Sequence, residues 1–252
     1  QTQQERERVT HTQEEEVVVV GTGTVTMDAV MRVVGVEDAP RRYWLGGEVG
    51  THNREHDCWV SAFGVVFDLT ALVQAHKGAL TEPLVRLAGR DVSHWFHPHD
   101  KTLRTHIDPV TGLVCPFTPD GRFVHVPPPV PTLDWATDYD CPWWADPSMV
   151  VGRLSQVGER YIRVVNTLSR QEDTIKVCGE ETLEEILHRS LPVNAHAASY
   201  TWKFLGRVLS MDMTLEENGV EDEQAEFEAL NLPDSFYIPS LFLYFNDDLT
   251  VA

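Results

Sequence analysis

The stretch Phe67–Ala79, FDLTALVQAHKGA, ends an apolar run, starts a helix and delivers a histidine into a bend. Phe67 closes the segment CWVSAFGVVFDLT (residues 58–70), where β-favouring apolar residues alternate and Gly64 interrupts them. That pattern predicts a hairpin ending at Asp68. LTALVQAHKG then predicts a short helix with Thr70 as its cap and Gly78 as its stop. His76 falls at the end of that helix, where a bend can offer one imidazole to a metal. A hydrogen-bonding role at the helix end is the alternative for the same side chain.

Outward from this stretch the chain divides. Its 252 residues suit two domains of roughly 100 residues each, and 42% hydrophobic content allows each a core. The division expected is an extended arm at 1–40, a folded unit at 41–126, a Pro- and Trp-rich connector at 127–158 and a second folded unit at 159–252. The arm opens polar (QTQQERERVTHTQEEE) and continues with residues suited to a strand or two. Its GTGTVT lacks the third glycine of a dinucleotide loop. In the first unit PLVRLAGRDVSHWF reads as two short helices about a Gly break, DPVTG as a turn, and PDGRFVHV as a turn followed by a strand. PPPVP can continue neither a sheet nor a helix. The connector's tryptophans are too much aromatic surface for a flexible linker, so it should lie across a domain or a partner. Beyond it, YIRVVNTLS and DTIKVCG alternate as strands and ETLEEILHRSLP places Leu183, Ile186 and Leu187 on one helical face. SYTWKFLGRVL and SLFLYFND supply further strands.

A net charge of −19 excludes a nucleic-acid face and an anionic-lipid surface, and suits either a basic protein partner or solubility alone. The four cysteines are scattered without a CxxC pair, which predicts reduced thiols rather than a disulfide scaffold. No apolar run reaches the ~20 residues of a membrane span, and no secretory pattern stands at the start. The expectation is a soluble cytoplasmic protein without a membrane partner. No nucleophile elbow, flavin motif or nicotinamide motif appears, so no enzyme is expected.

Two resemblances add to these readings. The C-terminal order of two strands, a helix, two strands and a last strand resembles the ubiquitin-like β-grasp family, with WKFLGRVLSMDMTLEENGV and SLFLYF at the corresponding places. This chain ends NDDLTVA rather than Gly-Gly, so an interaction module is implied rather than conjugation. Residues 43–107 resemble the cytochrome b5 fold, with Trp59, Phe67, Asp68, Leu69, Thr70, Ala88, Gly89, Asp91 and Phe96 falling in the family's order. The fold class expected is therefore α+β, a cytochrome b5-like domain followed by a ubiquitin-like β-grasp domain. The first resemblance implies haem b held by two imidazoles from opposite faces. His76 matches the first ligand, although HPGG of the family is HKGA here. The second is expected at His106 in RTHIDPVTG, with His99 as the alternative, and a chain with no protein ligand there stays open. Zinc at His94, His97, His99 and His106 lacks a cysteine or carboxylate in support.

Together the two modules, GRFVHVPP and the Trp-rich connector resemble a family that joins a b5-like domain to a ubiquitin-like one. That family is associated with the radial spokes of the motile-cilium axoneme. The resemblance implies a cytoskeletal subunit of the cilium or flagellum with radial-spoke proteins as partners and a haem site that senses redox state. A b5-type electron carrier and a haem-free scaffold are the alternatives.

Overall fold

The computed structural model describes residues 41–130, 132, 135, 139–233 and 236–246. The arm 1–40 and its expected strands lie outside the described residues. The hairpin forms where expected: Asp57–Ala62 (β3) pairs antiparallel with Val65–Asp68 (β4), Trp59 opposite Asp68. Phe63 and Gly64 turn the chain at φ 50° and 78°, the two positive values that a two-residue hairpin loop demands and that glycine adopts freely. Thr70–Ala75 (α2) follows, but Thr70 does not cap it. Asp68 Oδ1 accepts the Thr70 amide, while Thr70 Oγ1 accepts the Cys58 amide across from it. The threonine hydroxyl satisfies the strand, so the carboxylate two residues earlier takes the helix end.

The first sheet runs β1-β7-β4-β3-β2, with Tyr43–Trp44 (β1) and Asn53–Arg54 (β2) at its edges. Its second strand, Val150–Leu154 (β7), comes from the far end of the connector and pairs antiparallel with β4 and parallel with β1. Gly46–Val49 (α1) and Glu82–Arg86 (α3) complete the unit with the hairpin Thr105–Ile107 (β5) and Val114–Pro116 (β6). Its core joins Phe67, Leu69, Leu72, Val73, Trp95 and Phe96 to Phe123, Trp143, Trp144 and Ala145. The connector is thus part of the first core.

The second sheet runs β11-β10-β12-β8-β9. Glu159–Asn166 (β8) and Glu172–Cys178 (β9) form its hairpin. Leu183–Ser190 (α4) lies between them and Tyr200–Phe204 (β10), Arg207–Val208 (β11) and Ser240–Phe245 (β12), which runs parallel to β8. This is the β-grasp order. Alternation along β8 buries Ile162 and Val164 against Leu183, Ile186 and Trp202. Thr182 caps α4 and Glu185 closes the capping box. The acidic stretch before β12 holds a helix, Gln224–Ala229 (α5), that its polar pattern did not announce.

Ion pairs join the two units. Arg42 Nε donates to Glu185 Oε1 at 2.8 Å, and the Arg42 amide donates to the same oxygen at 2.9 Å. Arg189 Nη1 lies 2.6 Å from Glu48 Oε1 and its Nη2 2.6 Å from Glu181 Oε1. The Glu181 side chain is fully buried; Arg189 and the Cys178 amide both donate to it, and burial still outweighs them and raises its pKa. Burial pushes the Glu48 carboxyl up. The Leu45 amide, Arg189 and Arg41 outweigh it and hold that carboxyl below its ordinary value. Burial likewise opposes ionisation of Glu185, and hydrogen bonds from Arg42 and the Thr182 amide prevail, leaving its pKa lowered.

Candidate functional site

His76 stands at the C-terminal end of α2, its amide bonded to the Leu72 carbonyl and its side chain exposed. Lys77 beside it reaches Glu55 at 3.5 Å. The ring that meets His76 is His125, at 6.3 Å between centroids and an interplanar angle of 78°. His106, the expected second ligand, lies exposed on β5 with its ring 6.2 Å from Phe117. No ring contact joins His76 to His106 among the described residues. His99 is exposed in a loop that closes on itself through His97 and Thr102. Among the described residues no group of three or more His, Cys, Asp or Glu could hold a metal.

Sequence reasoning passed over His125 because PDGRFVHV reads as a turn and a strand. The strand does not form. His125 adopts φ 71°, a left-handed conformation that costs a non-glycine residue about 1–3 kcal/mol and needs its surroundings to enforce it. Those surroundings are on the connector. The His125 ring stacks on Tyr139 at 4.1 Å, the Tyr139 hydroxyl donates to the His125 carbonyl at 3.2 Å, and the Trp143 amide donates to His125 Nδ1 at 2.9 Å. Burial pushes the pKa of His125 down, with the nearby His76 adding to the effect. The proline run just after it was the available signal, since it forces the chain out of any strand.

Tryptophans of the connector pack against Phe67 and Phe96, two residues of the b5 pattern. The Trp143 ring lies 5.7 Å from Phe67, 6.3 Å from Phe96 and 6.2 Å from Phe123, and Trp143 is fully buried. Trp144 packs at 5.5 Å from Trp143 and 5.7 Å from Phe96. Accepting the Trp143 amide at Nδ1 leaves the proton of neutral His125 on Nε2, without a lone pair there for iron. Arranged in this way, the residues do not fit haem.

Fold and site together define an α+β chain built on a cytochrome b5-type domain. Residues 47–112 match the family model described as a cytochrome b5-like heme/steroid binding domain. The chain is 52% identical over 216 residues to cytochrome b5 domain-containing protein 1 of Mus musculus, covering 85% of this chain and 94% of the relative. It is 54% identical over 211 residues to the protein of that name from Homo sapiens, covering 83% and 92%. A solved cytochrome b5 of Ostreococcus tauri virus 2 shares 35% identity over 19% of this chain and 61% of its own, with a TM-score of 0.18. The chain belongs to the family of cytochrome b5 domain-containing protein 1. No helix among the described residues is long and apolar enough to cross a membrane.

Proposed function

We propose that this protein is a non-enzymatic structural and regulatory subunit of the motile-cilium axoneme, working at the radial spoke. The joining of its two modules into one body is the observation that carries the reading. Arg41, Arg42 and Glu48 of the first unit meet Glu181, Glu185 and Arg189 of the second, and Glu180 accepts the amides of Gln156 and Val157 between them. An electron carrier needs one exposed cofactor edge, whereas an adaptor needs two recognition surfaces at a fixed spacing. The β-grasp unit, read as a ubiquitin-like interaction module, supplies the second surface. Likeness to the relatives along most of their length supports carrying the whole two-module plan to this chain. Haem b, expected from the b5 resemblance, is left out of this reading because the residues as arranged do not fit it.

The test is fractionation of tagged protein in a ciliated cell. Retention on demembranated axonemes, and loss from axonemes that lack radial spokes, is the expected result. Recovery in the soluble fraction with no spoke dependence overturns the proposal.

A further inference from the structure

We propose that the β5–β6 hairpin and the pocket beside it form a docking site for a partner protein, which presents one acidic side chain flanked by aliphatic residues. The inference rests on the hairpin's own geometry and not on the axonemal role, so either can fail without the other.

Two independent observations lead to it. The first is apolar surface. Among the described residues β5 and β6 pair only with each other, apart from both five-stranded sheets. Ile107 stands opposite Val114 on one face of the hairpin, while Cys115, one residue on, is buried. Ile107 and Val114 are 69% and 70% exposed, and the turn between the strands adds Val110 at 90% and Leu113 at 50%. Single exposed aliphatics are ordinary, but four on one short hairpin mark a contact surface.

The second is an unmet charge. A pocket of about 180 Å³ is lined by His106, Asp108 and Cys115 of the hairpin, by Arg122, and by Val126 and Pro127. Arg122 is half-buried, its Nη1 is buried with no hydrogen-bond partner, and no ion pair reaches it among the described residues. A buried donor left unpaired costs free energy, most of all on a charged group. The chain has 39 acidic residues against 20 basic ones, so a guanidinium without a carboxylate is not for want of acids. Asp108 does not serve it. Its Oδ1 accepts the Val110 and Thr111 amides and so holds the hairpin turn.

These features choose the occupant. The pocket is smaller than the roughly 300–1,000 Å³ of a cofactor-sized site, so it takes a side chain rather than a nucleotide or a flat ring. One free guanidinium matches one carboxylate, whose two oxygens accept both prongs of the fork. A phosphate dianion would set its second charge against Asp108. Val126 and Pro127 meet the methylenes behind the carboxylate, and the hairpin aliphatics meet the apolar residues on either side of it. Such a segment complements both the charge and the exposed surface.

Titration of the full chain with two capped pentapeptides tests this, read by NMR shifts. The first is threonine-valine-glutamate-valine-threonine, and the second carries glutamine at its centre. Expected are saturable shifts over residues 105–116 and at Arg122 with the glutamate peptide. Affinity should fall at least about tenfold for the glutamine peptide and for Arg122→Gln, as a charged pair is lost. Val114→Thr, isosteric and on exposed surface, should weaken binding about threefold. Absence of saturable shifts, shifts centred elsewhere, or equal affinity for the two peptides overturns the proposal, as does unchanged affinity in either variant. Sodium butyrate giving the same shifts at the same concentration would make the ligand a free small acid and overturn the partner. Concentration-dependent shifts of the hairpin without peptide would make it a second copy of this chain, with the same consequence. Where Arg122→Gln alters the fold, the glutamine peptide decides the charge alone.

Discussion

The two modules close their cores differently. In the β-grasp unit every buried apolar residue, from Ile162 to Leu243, comes from the unit's own stretch of chain. In the b5-like unit Trp143, Trp144 and Ala145 enter from the connector, and β7 enters the sheet between β1 and β4. The first arrangement is self-sufficient. The second depends on a segment that returns from the far end of the connector.

Fragments give the largest test of this contrast. Residues 159–252 should fold alone with a cooperative thermal transition, and residues 41–126 should not, lacking β7 and both connector tryptophans. Circular dichroism melts decide it, and a cooperatively folded 41–126 fragment would break the comparison. Arg189→Ala comes next. It strands Glu181 in a buried position, and loss of one partner of a buried ion pair costs about 3–5 kcal/mol. Chemical denaturation should show that loss. A loss below ~1 kcal/mol would mean that Arg189 does little to hold the buried Glu181 carboxyl.

Smaller effects sharpen the picture. A Cβ on Gly152 would stand 2.7 Å from the Arg42 carbonyl and 2.8 Å from the Trp44 ring, so Gly152→Ala should cost about 1–3 kcal/mol by overpacking the β1–β7 seam. An unchanged midpoint would show that β1 yields. Thr182→Ala removes the cap of α4 and should cost about 1 kcal/mol, confined to the second module's exchange rates.

Acid should act on the two regions in sequence. Burial, with His76 close by and Asp146 opposing, holds His125 below its ordinary value of 6.5. The folded state therefore binds fewer protons there than the unfolded chain, and stability falls as pH drops below about 6.5. Protonated His125 can no longer accept the Trp143 amide, so exchange at that amide should rise first. Glu48 and Glu185 have lowered values against an ordinary 4.5. Their contribution is full above that pH and is lost as pH falls through the folded values, so separation of the modules follows. Simultaneous loss of both would argue against two separately acid-sensitive regions.

Much of this protein was legible locally. The hairpin ending at Asp68, the helix after FDLT, the β8–β9 alternation and the amphipathic helix in ETLEEILHRSLP are short-range patterns, and each formed. Thr70 failed as a cap because a partner twelve residues away, Cys58, took its hydroxyl. The sequence by itself determined the two modules and the family, through residue types at local spacing. Only the tertiary structure decided that His76 meets His125, that Trp143 joins the first core and that β7 completes the first sheet. Each of those joins residues far apart in the chain, where no periodicity records the pairing. Burial, a proline-directed return and one left-handed histidine settle the outcome together.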